Sequence, residues 1–259
     1  MTIKKDNIKN WFLPTDKMFK RFKKHTIDYN NPKKRRIFVD NNSAVLFVAH
    51  LDTVLPPKIN SITKSKIHAC GLDDRLGAKI AFDLAKELKA DLLLTDLEES
   101  CQTTAKYHIC KDYNWIVEFD RAGTDIVTYD LDNEDFLQAL KKYWSIGFGS
   151  YSDICALNTQ ACCVNIGIGY YNAHSKDSYS IIEQTTRQIK LFKQFFAKYS
   201  DTEFLQDEKA CYEDSDGFYY SKESYQAGFC EICGFVAGRE LYGYTICQDC
   251  FEYAIEKLI

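Results

Sequence analysis

No stretch of this chain approaches the ~20 consecutive apolar residues of a membrane-spanning helix. Its first residues are charged and lack the apolar h-region of a secretory signal. The sequence therefore predicts no membrane span and no exported form. A disulfide framework is missing as well: of 11 cysteines, 4 form two CxxC pairs and the other 7 are scattered, an odd number without secretory context. The setting that fits is reducing and cytoplasmic. Net charge is small, at −4, but it is unevenly spread. Residues 1–36 hold 12 Lys and Arg against 3 Asp, leaving 21 basic against 34 acidic side chains in the remainder. Apolar residues (Trp11, Phe12, Met18, Phe19, Phe22) interleave with those cations, which predicts a basic, solvated helical segment packed by its apolar side rather than a nucleic-acid arm.

What is present is enough apolar material, 46% of 259 residues, for one main domain and a small appendage. The segment Val45-Leu46-Phe47-Val48-Ala49-His50-Leu51-Asp52 opens with five apolar residues and reads as a strand buried on both faces, ending on His50. Ligands of open α/β sheets bind beyond the carboxyl ends of strands. Ala90 to Thr95 is a second such strand, with Glu98 and Glu99 just past it. Asn114 to Phe119 is a third, ending on Asp120, and Ala161 to Ile168 a fourth, followed by His174. Between the first two, Gly71-Leu72-Asp73-Asp74-Arg75-Leu76-Gly77 leads into a helix whose Leu76, Ile80, Leu84 and Leu88 repeat every four residues. An aspartate at that helix start ordinarily caps it.

The remaining stretches fill in the same architecture. Ile3 to His25 reads as helical with a break near Pro14, Arg36 to Val39 as a short strand, and the residues after Pro56-Pro57 as a polar loop. Asp125 to Tyr129 reads as extended, Asn133 to Tyr143 as a helix, and Gly147 to Asp153 as a loop suited to close backbone approach. Tyr179 to Tyr199 reads as one long amphipathic helix. Strands alternating with helices predict a mixed, largely parallel α/β sheet flanked by helices.

Two histidines and several carboxylates at strand ends suit zinc, whose ligands are imidazole nitrogen and carboxylate oxygen. A pair of metals needs a shared carboxylate, and Asp73 at a helix start would serve. Of the adjacent Glu98 and Glu99, one can bind metal while the other takes a proton from water.

The ordered set His50-Leu51-Asp52, Gly71 to Gly77, Glu98-Glu99, Asp120 and His174-Ser175 resembles the di-zinc exopeptidases of the aminopeptidase and carboxypeptidase clan, over about residues 40–200. The resemblance implies that His50, Asp73 and Asp120 hold one zinc and Asp73, Glu99 and His174 the other, with Asp73 bridging. It makes Glu98 the general base, gives Asp52 the task of orienting His50, and puts Ser152 and Asp153 on a substrate-side loop. The gaps of 23 positions from His50 to Asp73 and 54 from Asp120 to His174 leave no room for the inserted domains of the larger branches, so the compact, single-domain aminopeptidase branch is implied. The segment after Glu99, Ser100-Cys101-Gln102-Thr103-Thr104, departs from the Gly-rich stretch often found there.

The domain reading is a catalytic domain over 1–200, with a basic segment at 1–36, an acidic linker over 201–227, and a finger over 228–259. Cys230, Cys233, Cys247 and Cys250 have the spacing of a structural zinc site, with a helix from Phe251 to Leu258 in a treble-clef-like arrangement. Such a finger either staples a small module or binds a protein partner. The expected function is a metal-dependent amide hydrolase with two zinc ions in the cleft and one in the finger. It would act on short peptides as an aminopeptidase, the alternatives being a deacylase of small amides or a binding module that holds metal without turnover. Neither a membrane nor nucleic acid is expected as a partner.

Overall fold

The computed structural model describes residues 8–207 and, past them, the backbone of four short strands within 212–246. The chain divides into two compact units, Met1–Gln206 and Asp207–Ile259. In the second, Tyr212–Glu213 pairs with Tyr219–Tyr220 and Arg239–Leu241 with Tyr244–Ile246, both antiparallel. The four cysteines of the expected finger and the helix expected from Phe251 lie outside the described residues.

The first unit is built on two sheets. The larger uses β1 (Thr26–Ile27), β2 (Arg36–Val39), β3 (Val45–His50), β6 (Asp91–Thr95), β7 (Trp115–Arg121), β8 (Ile126–Val127) and β9 (Cys162–Gly167), in the order β1-β2-β6-β3-β7-β9-β8. Its four central strands are parallel, and the strands outside them run antiparallel to their neighbours. A smaller antiparallel sheet joins β4 (Lys58–Ile62), β5 (Lys66–Cys70), β10 (Tyr170–Tyr171) and β11 (Tyr179–Ile181) in the order β10-β11-β5-β4. The helices are α1 (Thr15–Arg21), α2 (Leu72–Leu88), α3 (Glu134–Lys141) and α4 (Ile182–Tyr199). No helix among the described residues is long and apolar enough to cross a membrane.

Strand β3 shows why the sheet is sandwiched. Its side chains alternate between faces: Val45, Phe47 and Ala49 enter one apolar cluster, Leu46 and Val48 another. On the first face Phe47 meets Phe119 at 5.7 Å and Phe192 of α4 at 5.2 Å between ring centroids. Each such buried ring contributes roughly 1.5–3 kcal/mol. The Trp115 indole donates to the Tyr199 carbonyl at 2.8 Å, anchoring the end of α4 to the start of β7. The amino-terminal segment docks on this core through buried Trp11, Met18 and Phe19.

Three local expectations are corrected. The long helix expected from Tyr179 begins at Ile182, because Tyr179–Ile181 pairs with Lys66–His68 as a strand. The polar loop after Pro57 contains β4. Within 9–25 the described α-helix is the seven-residue α1, entered from Pro14 and flanked by 3-10 turns.

Candidate metal centre

His50 is the last residue of β3 and is fully buried. Its Nδ1 lies 3.1 Å from the Asp52 carbonyl oxygen and 3.3 Å from Asp52 Oδ1. That leaves Nε2 facing a group of carboxylates: Asp73 Oδ1 at 3.2 Å, Asp120 Oδ1 at 3.3 Å and Glu98 Oε2 at 3.8 Å. The other Asp73 oxygen, Oδ2, lies 3.1 Å from His174 Nε2, which in turn is 2.9 Å from Glu99 Oε2. Two ligand groups result, His50–Asp73–Asp120 and Asp73–Glu99–His174, each with its candidate atoms within 4.8 Å of one another. Asp73 belongs to both.

The helix start separates capping from ligand geometry. Asp73 (φ −80°, ψ 106°) and Asp74 (φ −116°, ψ 39°) depart from helical torsions, so regular helix begins at Arg75. Asp74 Oδ1 accepts the Gly77 N–H at 2.9 Å and caps the helix, while Asp73 turns into the cleft. A side chain at position 77 would overlap the Phe119 carbonyl oxygen and the Asp74 carboxylate, so glycine is what lets the helix start sit against β7.

Asp120 lies inside β7, which continues to Arg121, rather than just past its end. Its N–H donates to Asn165 Oδ1 at 3.0 Å, its carbonyl accepts the Tyr170 hydroxyl at 2.7 Å, and its Oδ2 accepts Ser152 Oγ at 3.2 Å. Glu98 and Glu99 sit on a 3-10 turn after β6 whose backbone N–H groups both donate to the Asp52 carboxylate, at 3.2 and 3.0 Å. His174 departs from the expected pattern. It is half exposed, with φ +59°, on the turn between β10 and β11, so the small sheet and not a central strand delivers it.

Ser152 and Asp153, expected on the substrate side, are fully buried. Ser152 Oγ donates to Glu118 Oε2 at 2.6 Å, and Asp153 accepts the Thr95 hydroxyl, so both support the site from beneath. Glu118 and Asn165 belong to the same support and were not singled out from sequence. They are paired in register across β7 and β9, and Asn165 Nδ2 donates to Ser152 Oγ at 3.1 Å. The available signal was a carboxylate and an amide inside otherwise apolar strands.

The electrostatics call for cations. Burial, with Asp120, Asp153 and Asp73 nearby, pushes Glu98 up to about 9 against the pull of His50. Burial and the Asp73 charge push Asp120 up to about 7, and burial pushes Asp153 up to about 6. Burial opposes ionisation of His50, yet the carboxylates around it, Asp120 foremost, hold it well above its ordinary value. Hydrogen bonds to Asp73 and Glu99 raise His174 to about 10. Glu99 Oε1, Glu118 Oε1, Asp120 Oδ1 and Asp153 Oδ1 are buried without hydrogen-bond partners. Removing one partner from a buried charge pair typically costs about 3–5 kcal/mol, and two imidazoles cannot balance this many carboxylates. An oxygen-rich set with two imidazole nitrogens fits a pair of divalent cations such as zinc.

No protein-family model matches the sequence, and no curated protein does. Among solved structures the chain is similar to the aminopeptidase PepT from Bacillus cereus, with a TM-score of 0.54 and 12% identity over 74% of this chain and 98% of that one. It is also similar to a tripeptidase from Staphylococcus aureus, with a TM-score of 0.52 and 10% identity over 77% of this chain and 100% of that one. The fold is shared with these two peptidases. At such identities the likeness is one of architecture: a mixed, mostly parallel sheet flanked by helices, as the strand pattern predicted.

Proposed function

We propose that this chain is a metal-dependent hydrolase of amide bonds, a two-metal aminopeptidase acting on short peptides. The observation that carries the reading is the two-way placement of Asp73, whose Oδ1 faces His50 and whose Oδ2 faces His174. His50, Asp73 and Asp120 would hold one cation, and Asp73, Glu99 and His174 the other. When bound, the pair supplies Lewis acidity, polarising a carbonyl and lowering the pKa of water.

The chain's own groups do the rest. Glu98 is in neither ligand group, and its Oε2 lies 3.8 Å from His50 Nε2, on the same side of the ring as the ligand carboxylates. It takes the proton of the attacking water and delivers it to the leaving amine. Asp52 holds the His50 ring and the peptide carrying Glu98. The fold shared with an aminopeptidase and a tripeptidase supports a peptide as substrate.

The test is a panel of free and amino-blocked peptides with metal content measured on the same preparation. Release of single amino-terminal residues, with two cations in the cleft, is the expected result. Cleavage of amino-blocked substrates alone would make the chain a deacylase, and metal without turnover would make it a binding module. One metal in a fully active protein would overturn the two-metal assignment.

A further inference from the structure

Arg75 is the third residue of the Asp73-Asp74-Arg75 run, fully buried, and absent from both ligand groups. Only its Nη2 has a partner, Thr15 Oγ1 at 3.0 Å, while Nε and Nη1 make no hydrogen bond. A guanidinium sealed from water with one hydrogen bond is costly unless nearby charge compensates it. The carboxylates acting on it are those of Asp52, Asp96 and Asp74, Asp52 most strongly. Asp96 Oδ2 accepts Arg35 Nε at 2.7 Å and Asp74 Oδ1 accepts the Gly77 N–H at 2.9 Å, and Asp52 lies two residues past the end of β3.

The contact partner leads to the same segment. Thr15 Oγ1, which accepts from Arg75, donates to the Leu51 carbonyl at 3.2 Å. Leu51 lies between His50 and Asp52. The basic amino-terminal segment, which the proposed chemistry leaves without a task, thereby supplies the link between the helix start and the end of β3.

We infer that Arg75 is a positioning residue: through Thr15 and the Leu51 carbonyl it fixes the His50-Leu51-Asp52 segment so that His50 Nε2 faces the metal site. The inference rests on the two-metal reading but not on peptidase activity. The one side-chain hydrogen bond of Arg75 goes to Thr15, not to a ligand of either group. Its effect passes through Asp52 and His50, in the way groups behind a ligand set its orientation.

The experiment is Co2+ titration of the purified full-length chain, followed by its visible absorption, on wild type, Arg75→Met, Arg75→Lys, Thr15→Val, Asp52→Asn and the Arg75→Met/Asp52→Asn double variant. Arg75→Met should weaken Co2+ binding at the His50 site by roughly tenfold, the lower end for groups behind a ligand, and leave the His174 site within twofold. Arg75→Lys should recover most of the loss, and Thr15→Val should show a smaller loss in the same direction. The double variant should bind about as weakly as Asp52→Asn alone, because both substitutions act on one pathway.

Losses that multiply in the double variant would overturn the inference, as would Arg75→Met and Thr15→Val binding like wild type. Tighter binding in Arg75→Met would show simple charge relief and also overturn it. If Arg75→Met does not fold, Thr15→Val decides: wild-type affinity in that variant overturns the proposal. A wild-type chain that binds no Co2+ sinks the two-metal reading and this inference with it. A chain that binds Co2+ but cleaves no peptide sinks the peptidase reading alone.

Discussion

The Asp52 carboxylate accepts the Glu99 backbone N–H at 3.0 Å, while its other oxygen lies 3.3 Å from His50 Nδ1 and accepts the Glu98 N–H at 3.2 Å. One side chain thus sets the ring of a candidate metal ligand and the turn that presents the candidate base. Asparagine keeps one acceptor oxygen and puts an NH2 donor in place of the other, so it cannot meet both the Glu99 N–H and the His50 and Glu98 side. Asp52→Asn is expected to lower kcat by about 10–100-fold, the range for groups behind metal ligands. Steady-state kinetics with metal content measured in parallel check it. Unchanged kcat at full metal loading would remove Asp52 from the mechanism.

Adjacent Glu98 and Glu99 are expected to fail differently. Glu98→Gln should keep both cleft cations and lose about 10²–10⁴-fold in kcat, the range for general-base catalysis. Glu99→Gln should lose the cation shared with His174 and regain part of its activity with excess zinc. Exchanged phenotypes would reverse the two roles, and full activity in both would move the chemistry elsewhere.

For the carboxyl-terminal cysteines, the expected zinc site is separate from the cleft. Cys230→Ser or Cys247→Ser should each remove one zinc per chain and leave the cleft pair, since structural zinc sites contribute folding free energy to their own module. Elemental analysis of the variants reads this directly. Loss of cleft metal in either variant would contradict independence.

His108 offers a pH test away from the metal centre. Its ring packs on Phe38 at 4.6 Å, and Nε2 is buried without a partner. Burial, reinforced by Arg36, pulls its pKa down to about 4 from an ordinary value near 6.5. The unfolded chain therefore binds this proton more readily than the folded one between those values. Its contribution is fully present above about pH 6.5 and is lost as pH falls towards 4. Tm of wild type should drop more steeply over that window than Tm of His108→Phe. Parallel curves would refute the assignment.

Gly77→Ala is expected to destabilise by at least the ~1–3 kcal/mol typical of overpacking. The added methyl would run into the Phe119 carbonyl and the cap made by Asp74. Urea denaturation checks it. A neutral result would mean that α2 and β7 separate more easily than their packing indicates.

The parallel centre of the fold was legible because a strand buried on both faces is apolar throughout, as Val45 to Ala49 and Leu92 to Leu94 are. Its carboxyl ends then named His50, Glu98, Glu99 and Asp120, and the cleft brings these together. What stayed hidden depends on partners far away in sequence. Tyr179–Ile181 carries the apolar pattern of the helix it precedes, and only pairing with Lys66–His68 makes it a strand. Lys58–Ile62 has exposed polar residues on an edge, so no apolar period marks it. The choice between Asp73 and Asp74 as cap turns on a few backbone torsions, which residue type does not encode. Ser152 matched a substrate loop by position, while its burial and its hydrogen bonds to Glu118 and Asp120 depend on partners more than thirty residues away.

The outer strands of the large sheet, β1 and β8, are only two residues each. A long, flat, unpaired strand edge is a template for adding a strand from another molecule, and short edges deny it. Lys23 and Lys24 lie just before β1, which adds like-charge repulsion to any such approach. The longer free edge of the small sheet, β4, follows Pro56-Pro57, begins with Lys58, and is broken by a bulge between Ile59 and Ser61. Among the described residues, both sheets are thus closed to the edge-to-edge stacking that seeds fibres, so concentrated solutions of this unit should resist amyloid-type aggregation for as long as it stays folded.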